Sequence, residues 1–175
     1  MMMMSQAAEV LHSELSGHDV MFSAVSKDTR TIEAGDLYIA LSGHNFDGHD
    51  FVDLARNEGA VGALVSKKQT IEFPQICVDD TRLALGSLAA NWRQQFNGSV
   101  IGITGSNGKT TVKEMCSSIL KEASGAEHVL ATKGNLNNDI GMPMTLLSLR
   151  KQHRYAVIEM GANHVGEIDY LTKIA

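Results

Sequence analysis

Apolar positions along the chain alternate between helical and strand spacing, and the changes of period predict the elements. Ala8, Leu11, His12 and Leu15 recur at helical intervals and predict a short amphipathic helix ending near Gly17. Phe22 to Val25 and Leu37 to Leu41 are compact apolar runs and read as strands. Lys27-Asp28-Thr29-Arg30 and a turn at Gly35-Asp36 separate them. A polar loop rich in Gly, Asn, His and Asp follows over 42–50, and then a helix from Phe51, Leu54 and Ala55 that stops near Gly59. Gly62 to Ser66 and Gln75 to Val78 are further strands. Asp79 or Asp80 then caps a helix whose Leu85, Leu88, Ala89 and Trp92 form one stripe.

Asn97-Gly98 breaks that helix and marks a domain boundary, giving a first unit over 1–97 and a second over 98–175. The second unit alternates: strand 99–104, helix 110–122, a strand near Val129-Leu130, a helix from Pro143 to Leu149, strand 155–160, and a helix from Gly166. Val112, Met115, Cys116 and Ile119 fall at i, i+3, i+4 and i+7, so one face of the first of these helices is apolar. Strands alternating with helices imply parallel pairing through crossovers, hence an α/β fold. Three strands make a thin sheet for such a domain, and the second unit reads as unfinished.

Composition narrows the function classes. A net charge of -5 with signs scattered along the chain offers no basic patch for nucleic acid. The N-terminal methionines lack the basic and apolar regions of a signal peptide, and no stretch reaches the length of a membrane span. A cytoplasmic protein without membrane insertion is expected. Cys77 and Cys116 sit in apolar segments and read as buried, reduced thiols.

The chemistry is concentrated in Gly102-Ile103-Thr104-Gly105-Ser106-Asn107-Gly108-Lys109-Thr110-Thr111, which lies between a strand and a helix. Small residues there let backbone N–H groups close around phosphate oxygens, and the helix N-terminus adds partial positive charge. Lys109 is placed to reach the outer phosphates and the Thr110 hydroxyl to ligate Mg²⁺. The pattern G-x-x-x-x-G-K-[ST] asks for glycine where Ile103 stands, so the loop is a variant of the phosphate-binding motif. Tyr155-Ala156-Val157-Ile158 delivers Glu159 to the C-terminal end of its strand, where α/β sheets bind ligands. A carboxylate there, beside a phosphate loop, suits Mg²⁺; the plainer alternative is a helix cap. Gly134 to Gly141 is dense in short amides, Asn138 among them, which serve turns and phosphate or substrate contacts equally well. Asn163 and His164 lie in a loop that reads either as a substrate contact or as a turn.

Three strings, GITGSNGKTTVKEM, GNLNNDIGMPMTLL and AVIEMGANHVGEI, resemble the Mur ligase family. KDTRTIEAGDLYIALSGHNFDGHDFVDLA is similar to that family's UDP-substrate domain, and the variant loop is the family's own. The resemblance implies a small N-terminal α/β substrate domain, followed by the first part of a parallel-sheet ATPase domain. A C-terminal amino-acid domain and the later motifs have no counterpart among these residues. It implies ATP and Mg²⁺ as cofactors, and UDP-N-acetylmuramoyl-tripeptide and D-alanyl-D-alanine as substrates, joined through an acyl phosphate in peptidoglycan synthesis. By motif, Thr104, Gly105, Ser106, Asn107, Gly108, Lys109, Thr110, Thr111 and Asn138 face the nucleotide. Lys109 is catalytic, and Thr110 and Glu159 hold the metal. Asp28, Thr29, Arg30, Asn45 and Phe46 fall in the segment facing the uridine end. The rival readings are another phosphate-loop NTPase or kinase, and a non-catalytic precursor-binding module.

Overall fold

The computed structural model describes residues 1–43 and 45–175; His44, in the loop predicted over 42–50, lies outside the described residues. The chain forms two compact units, Met1–Leu88 and Ala89–Ala175. They part within the helix that precedes Asn97-Gly98.

In the first unit, β1 (Met2–Met3) leads into α1 (Met4–Val10) and on to β2 (Leu15–Ser16), β3 (Met21–Phe22), β4 (Ala24–Ser26) and β5 (Asp36–Ile39). A short antiparallel pair follows, β6 (Ser42–Gly43) with β7 (Phe46–Asp47). After it come α2 (Val52–Asn57), β8 (Gly62–Val65), β9 (Gln75–Cys77) and α3 (Thr81–Gln94). The main sheet runs β2-β9-β8-β5-β4, with four parallel strands and an antiparallel β2 at one edge. Tyr38, Ala63 and Val65 line one face, where Val52 and Ala55 of α2 and Phe73 join them in one core cluster. Leu37, Ile39, Leu64 and Ile76, also wholly buried, point to the other face by the two-residue period of strands. Asp80 is the cap of α3, its Oδ1 accepting from Arg82 N at 2.7 Å and Leu83 N at 3.1 Å.

The N-terminal helix differs from the prediction. It begins at Met4 and ends by Leu11, and Leu15 pairs with Ile76 as a strand instead. Leu11 and Leu15 share a helical spacing, but His12 turns the chain with a φ of 51° before the second is reached. The methionine run is structural: Met2 pairs with Phe22, and Met4 is wholly buried. Cys77 is exposed and Cys116 half-buried, so the thiols are less enclosed than their apolar neighbours suggested.

The second unit holds β10 (Ser99–Ile103), α4 (Lys109–Ser124), β11 (Val129–Ala131), α5 (Gly141–Leu146), β12 (Tyr155–Glu159) and α6 (Glu167–Ile174). Its three strands are parallel in the order β10-β12-β11, so β12 is central and its Ala156, Val157 and Ile158 are wholly buried. Met142 and Leu146 of α5 and Leu171 of α6 are wholly buried too.

Helix α4 forms where its period predicts it, but its apolar face is not its buried one. Val112, Met115 and Ile119 are exposed at 47%, 62% and 68%, while Lys113 and Ser117 are buried at 1% each. The stripe has rotated by one residue. The reason lies at the helix start and in the partners of Lys113. The loop fixes where the first turn begins, Lys113 donates inward to Thr132 O, and the Ser117 hydroxyl is enclosed without a partner. Among the described residues no helix is long and apolar enough to cross a membrane.

Gly48 closes the turn after β7, and its backbone is pressed on Leu41: an added Cβ would stand 2.7 Å from Leu41 O and 2.8 Å from Leu41 N. Neither atom can swing aside as a side chain would. Gly48→Ala is therefore expected to lower stability by about 1–3 kcal/mol, the cost of overpacking, read as a shift in urea midpoint. An unchanged midpoint would show that this turn yields.

Candidate functional site

The phosphate-type loop sits at the C-terminal end of β10. Gly105 and Gly108 adopt φ values of 150° and 77°, conformations that L side chains rarely enter, so the loop depends on glycine at both. Residues 104–108 are exposed, with backbone open to a ligand, and Gly108 is the N-cap of α4 without a side-chain cap. The first-turn N–H groups are thus left for an anion. Lys109 arches over the loop, its Nζ donating to Gly105 O at 2.7 Å.

Parallel register sets Ile103 opposite Glu159, and Met160 N donates to Ile103 O at 2.8 Å. The loop and the carboxylate therefore leave adjacent strands at one edge, as the sequence implied. Glu159 is buried to 2%, its Oε1 accepting from Asn137 Nδ2 at 2.7 Å while Oε2 has no partner. A buried carboxylate oxygen left unpaired is costly, and a cation is the partner that suits it. Among the described residues no group of three His, Cys, Asp or Glu could hold a metal unaided. Glu159, with its unpaired oxygen, is a residue that could hold a cation such as Mg²⁺, and the Thr110 hydroxyl in the first turn of α4 is the second candidate.

The amide-rich segment divides its work unexpectedly. Asn138 Oδ1 accepts from Ile140 N at 3.2 Å and Gly141 N at 2.8 Å, bracing the entry to α5. Its neighbour Asn137, which the sequence reading did not single out, is the one that touches Glu159. Gly161 makes room for it: a Cβ there would lie 3.0 Å from the Asn137 carboxamide. Asn163 N and His164 N both donate to Glu167 Oε2, at 2.7 and 3.3 Å, in a local turn that holds the Glu167 carboxyl below its usual range.

In the first unit, the C-terminal ends of β4, β5, β8 and β9 share one edge, and the Asp28–Arg30 and Asn45–Phe46 segments both emerge there. Asp28 caps the 3-10 turn Thr29–Thr31 and is gripped by Arg30, through Nε at 2.8 Å and Nη2 at 2.6 Å. That grip, with the Arg30 backbone N–H, holds the Asp28 carboxyl well below the usual range. Asn45 and Phe46 are exposed, and the Phe46 ring stacks on Phe51 at 5.1 Å. Between the two segments lies Tyr38, whose hydroxyl donates to Gly48 O at 3.0 Å. Burial, then the charges of Asp28 and Asp47, push its phenol up to about 12.

Sequence reading also missed a buried network beside this edge. His49 is buried to 6%, its Nδ1 facing Asp47 Oδ1 and its Nε2 accepting from Ser66 N at 2.9 Å. The Asp-x-His spacing was the only available signal. Asp47 also accepts from Ser42 Oγ at 2.8 Å and pairs with Lys67 at 3.3 Å.

An α/β protein with a variant phosphate loop beside a buried acidic strand end has the layout of a parallel-sheet domain suited to a nucleotide. Comparison with known proteins makes this specific. The model of the Mur ligase family catalytic domain matches residues 21–93, and that of the Mur ligase middle domain matches residues 103–175. The chain belongs to the Mur ligase family. It is 50% identical over 171 residues to UDP-N-acetylmuramoyl-tripeptide–D-alanyl-D-alanine ligase of Escherichia coli (strain K12), covering 98% of this chain and 37% of the relative. Its Haemophilus influenzae counterpart is 47% identical, at 97% and 38% coverage. Among solved structures, MurF of Acinetobacter baumannii superposes with a TM-score of 0.87 at 44% identity, covering 97% of this chain and 38% of the other. MurF ligase of Thermotoga maritima in complex with ADP gives 0.77 at 35% identity, covering 87% and 35%. The chain thus spans little more than a third of the length of the relatives it matches.

Asp47 generates a pH prediction. The His49 ring, then the His49 N–H, the Ser42 hydroxyl and Lys67 hold its carboxyl well below the usual range. A carboxyl with a depressed folded pKa contributes stability present above its unfolded value, near 4, and lost as pH falls through the folded one. Asp47→Asn should lower the melting temperature at neutral pH, with the gap to the parent closing below about pH 4. A gap constant from pH 7 to pH 2 would assign the loss to packing.

Proposed function

We propose that this chain provides the precursor-binding and ATP-binding portions of a ligase that joins D-alanyl-D-alanine to UDP-N-acetylmuramoyl-tripeptide. The observation that carries the reading is the glycine loop and Lys109 on one strand end, beside a buried carboxylate with one unpaired oxygen on the next. The likeness to MurF ligases, one of them solved with ADP, supports it.

ATP with Mg²⁺ supplies the phosphoryl group that turns a substrate carboxylate, a poor acyl donor, into an acyl phosphate open to an amine. The chain's own task is positional and electrostatic. Backbone N–H groups over 104–111 cradle the phosphates, and Lys109 leaves Gly105 O to meet the outer ones. Thr110 and Glu159 hold the cation. Asn138 braces the segment from which Asn137 reaches Glu159, so its contribution to the nucleotide is through that segment.

In the first unit, Asp28, Thr29, Arg30, Asn45 and Phe46 are proposed to receive the UDP end. Arg30 is 85% exposed on its side chain, and its pair with Asp28 lies in water. Such exposed pairs contribute little, so the guanidinium can exchange a carboxylate for a diphosphate at small cost. Phe46, stacked on Phe51, offers an exposed ring face to a base.

Because the chain spans about 37% of its first relative, nucleotide and precursor binding are the readouts, rather than ligation. A fluorescent ADP analogue with Mg²⁺ should bind the chain, and Lys109→Ala should weaken it at least tenfold. Glu159→Ala should remove the Mg²⁺ dependence while sparing metal-free binding. Unaltered titrations in both variants would overturn the nucleotide site. In calorimetry with UDP-N-acetylmuramoyl-tripeptide, Arg30→Ala should weaken binding about tenfold, the scale of one charge-assisted hydrogen bond. An unchanged dissociation constant would remove Arg30 from the site.

A further inference from the structure

Lys113 is among the largest wholly enclosed side chains of the protein, at 1% exposure, on the helix that the phosphate loop launches. An enclosed ammonium costs several kcal/mol unless its protons are well placed. One goes to Thr132 O at 2.8 Å, and the Glu114 carboxylate lies 2.8 Å away at the rim. Glu114 is in turn held below its usual pKa, first by the hydrogen bond from Lys113. A methionine or leucine would fill the same space without the desolvation cost, so the charge is retained for what it holds.

It holds Thr132, whose other groups are committed. Thr132 N donates to Val157 O at 3.0 Å, and Thr132 Oγ1 accepts from Glu159 N at 3.0 Å. Thr132 is itself buried to 2%, just past the end of β11. A continuous set of hydrogen bonds therefore runs from α4, one turn after Lys109 and Thr110, through Thr132 to the backbone of Glu159. We infer that Lys113 is a positioning residue, which fixes the helix bearing Thr110 against the strand bearing Glu159 and so sets the spacing of the two magnesium-binding groups. The inference rests on the nucleotide reading above.

This role differs from that of a core lysine that merely packs. A rigid spacing matters to a cation bridging two elements, because Mg²⁺ demands near-ideal octahedral geometry. It matters less to phosphate cradled by the loop alone, which belongs to one element. Loss of the strut should separate the two.

The test uses the full chain and the fluorescent ADP analogue, titrated with Mg²⁺ and, separately, in excess chelator. Lys113→Met keeps the apolar stem and removes the donor. It should raise the Mg²⁺ concentration for half-maximal binding about tenfold, with metal-free affinity within twofold of the parent. Thr132→Val removes the acceptor for Glu159 N while leaving the carbonyl and the shape. It should move the same midpoint in the same direction, and it serves should Lys113→Met fail to fold. The double variant should shift little beyond the larger single effect, since both cut one path. An unmoved Mg²⁺ midpoint in either folded variant, or equal losses with and without metal, would overturn the inference. Absence of Mg²⁺-dependent binding by the parent chain would instead sink the nucleotide reading on which it stands.

Discussion

The second unit depends on the parallel pairing of β10 with β12. In that register Ile103 faces Glu159, so the two chains leave the sheet side by side, one as a glycine loop and the other as a carboxylate. Antiparallel pairing would have sent them to opposite edges. Parallel strands require a crossover, and here the chain returns through α4, β11 and α5 before β12 completes the middle of the sheet. The helix that makes the crossover also opens with the loop's lysine, so topology and chemistry are set by the same segment.

That economy explains why the site was largely legible in the sequence. The loop, its lysine and the acidic end of an apolar strand are local patterns, each readable within ten residues. The α/β class followed from alternating periods for the same reason. The misreadings were of phase and partner, which are not local. The stripe Val112, Met115 and Ile119 has the right spacing, but burial fell to Lys113 and Ser117, and the acceptor of Lys113 is Thr132, just past β11. Asn137 and Asn138 are chemically identical in sequence; only the backbone direction decides which braces a helix and which meets Glu159. The methionines at the N-terminus carried no period, and β3, which pairs with them, lies many residues on.

The first unit uses the same sheet edge for different work. Among its described residues none forms a phosphate-type loop, and charge at this edge is held in self-contained pairs: Asp28 with Arg30, and Asp47 with His49 and Lys67. Tyr38 lies buried, and that burial, with the charges of Asp28 and Asp47, pushes its phenol up to about 12. On the precursor-binding reading proposed above, a hydrogen-bonded floor beneath exposed polar segments suits recognition by geometry more than by net charge. On the same reading, pairs already formed would limit the ordering cost of binding, since side chains would change partner rather than condense from a mobile state.

The half-satisfied carboxylate of Glu159 shows how the two requirements of the metal-bearing residue we propose are met together. With both oxygens hydrogen-bonded to protein, it would be well fixed but would have little left to offer a cation. With neither, its burial would be uncompensated and its rotamer free to wander. Asn137 takes one oxygen, Thr132 takes the backbone N–H, and the second oxygen remains. Each of these contacts has its own support: Gly161 clears the space for Asn137, and Lys113 grips the carbonyl of Thr132. The orientation of one carboxylate thus calls on a glycine, an amide, a hydroxyl and a buried ammonium drawn from four separate stretches of chain. Ligands held this way gain their geometry before the cation arrives, which is where the outer layer of a metal site does its work.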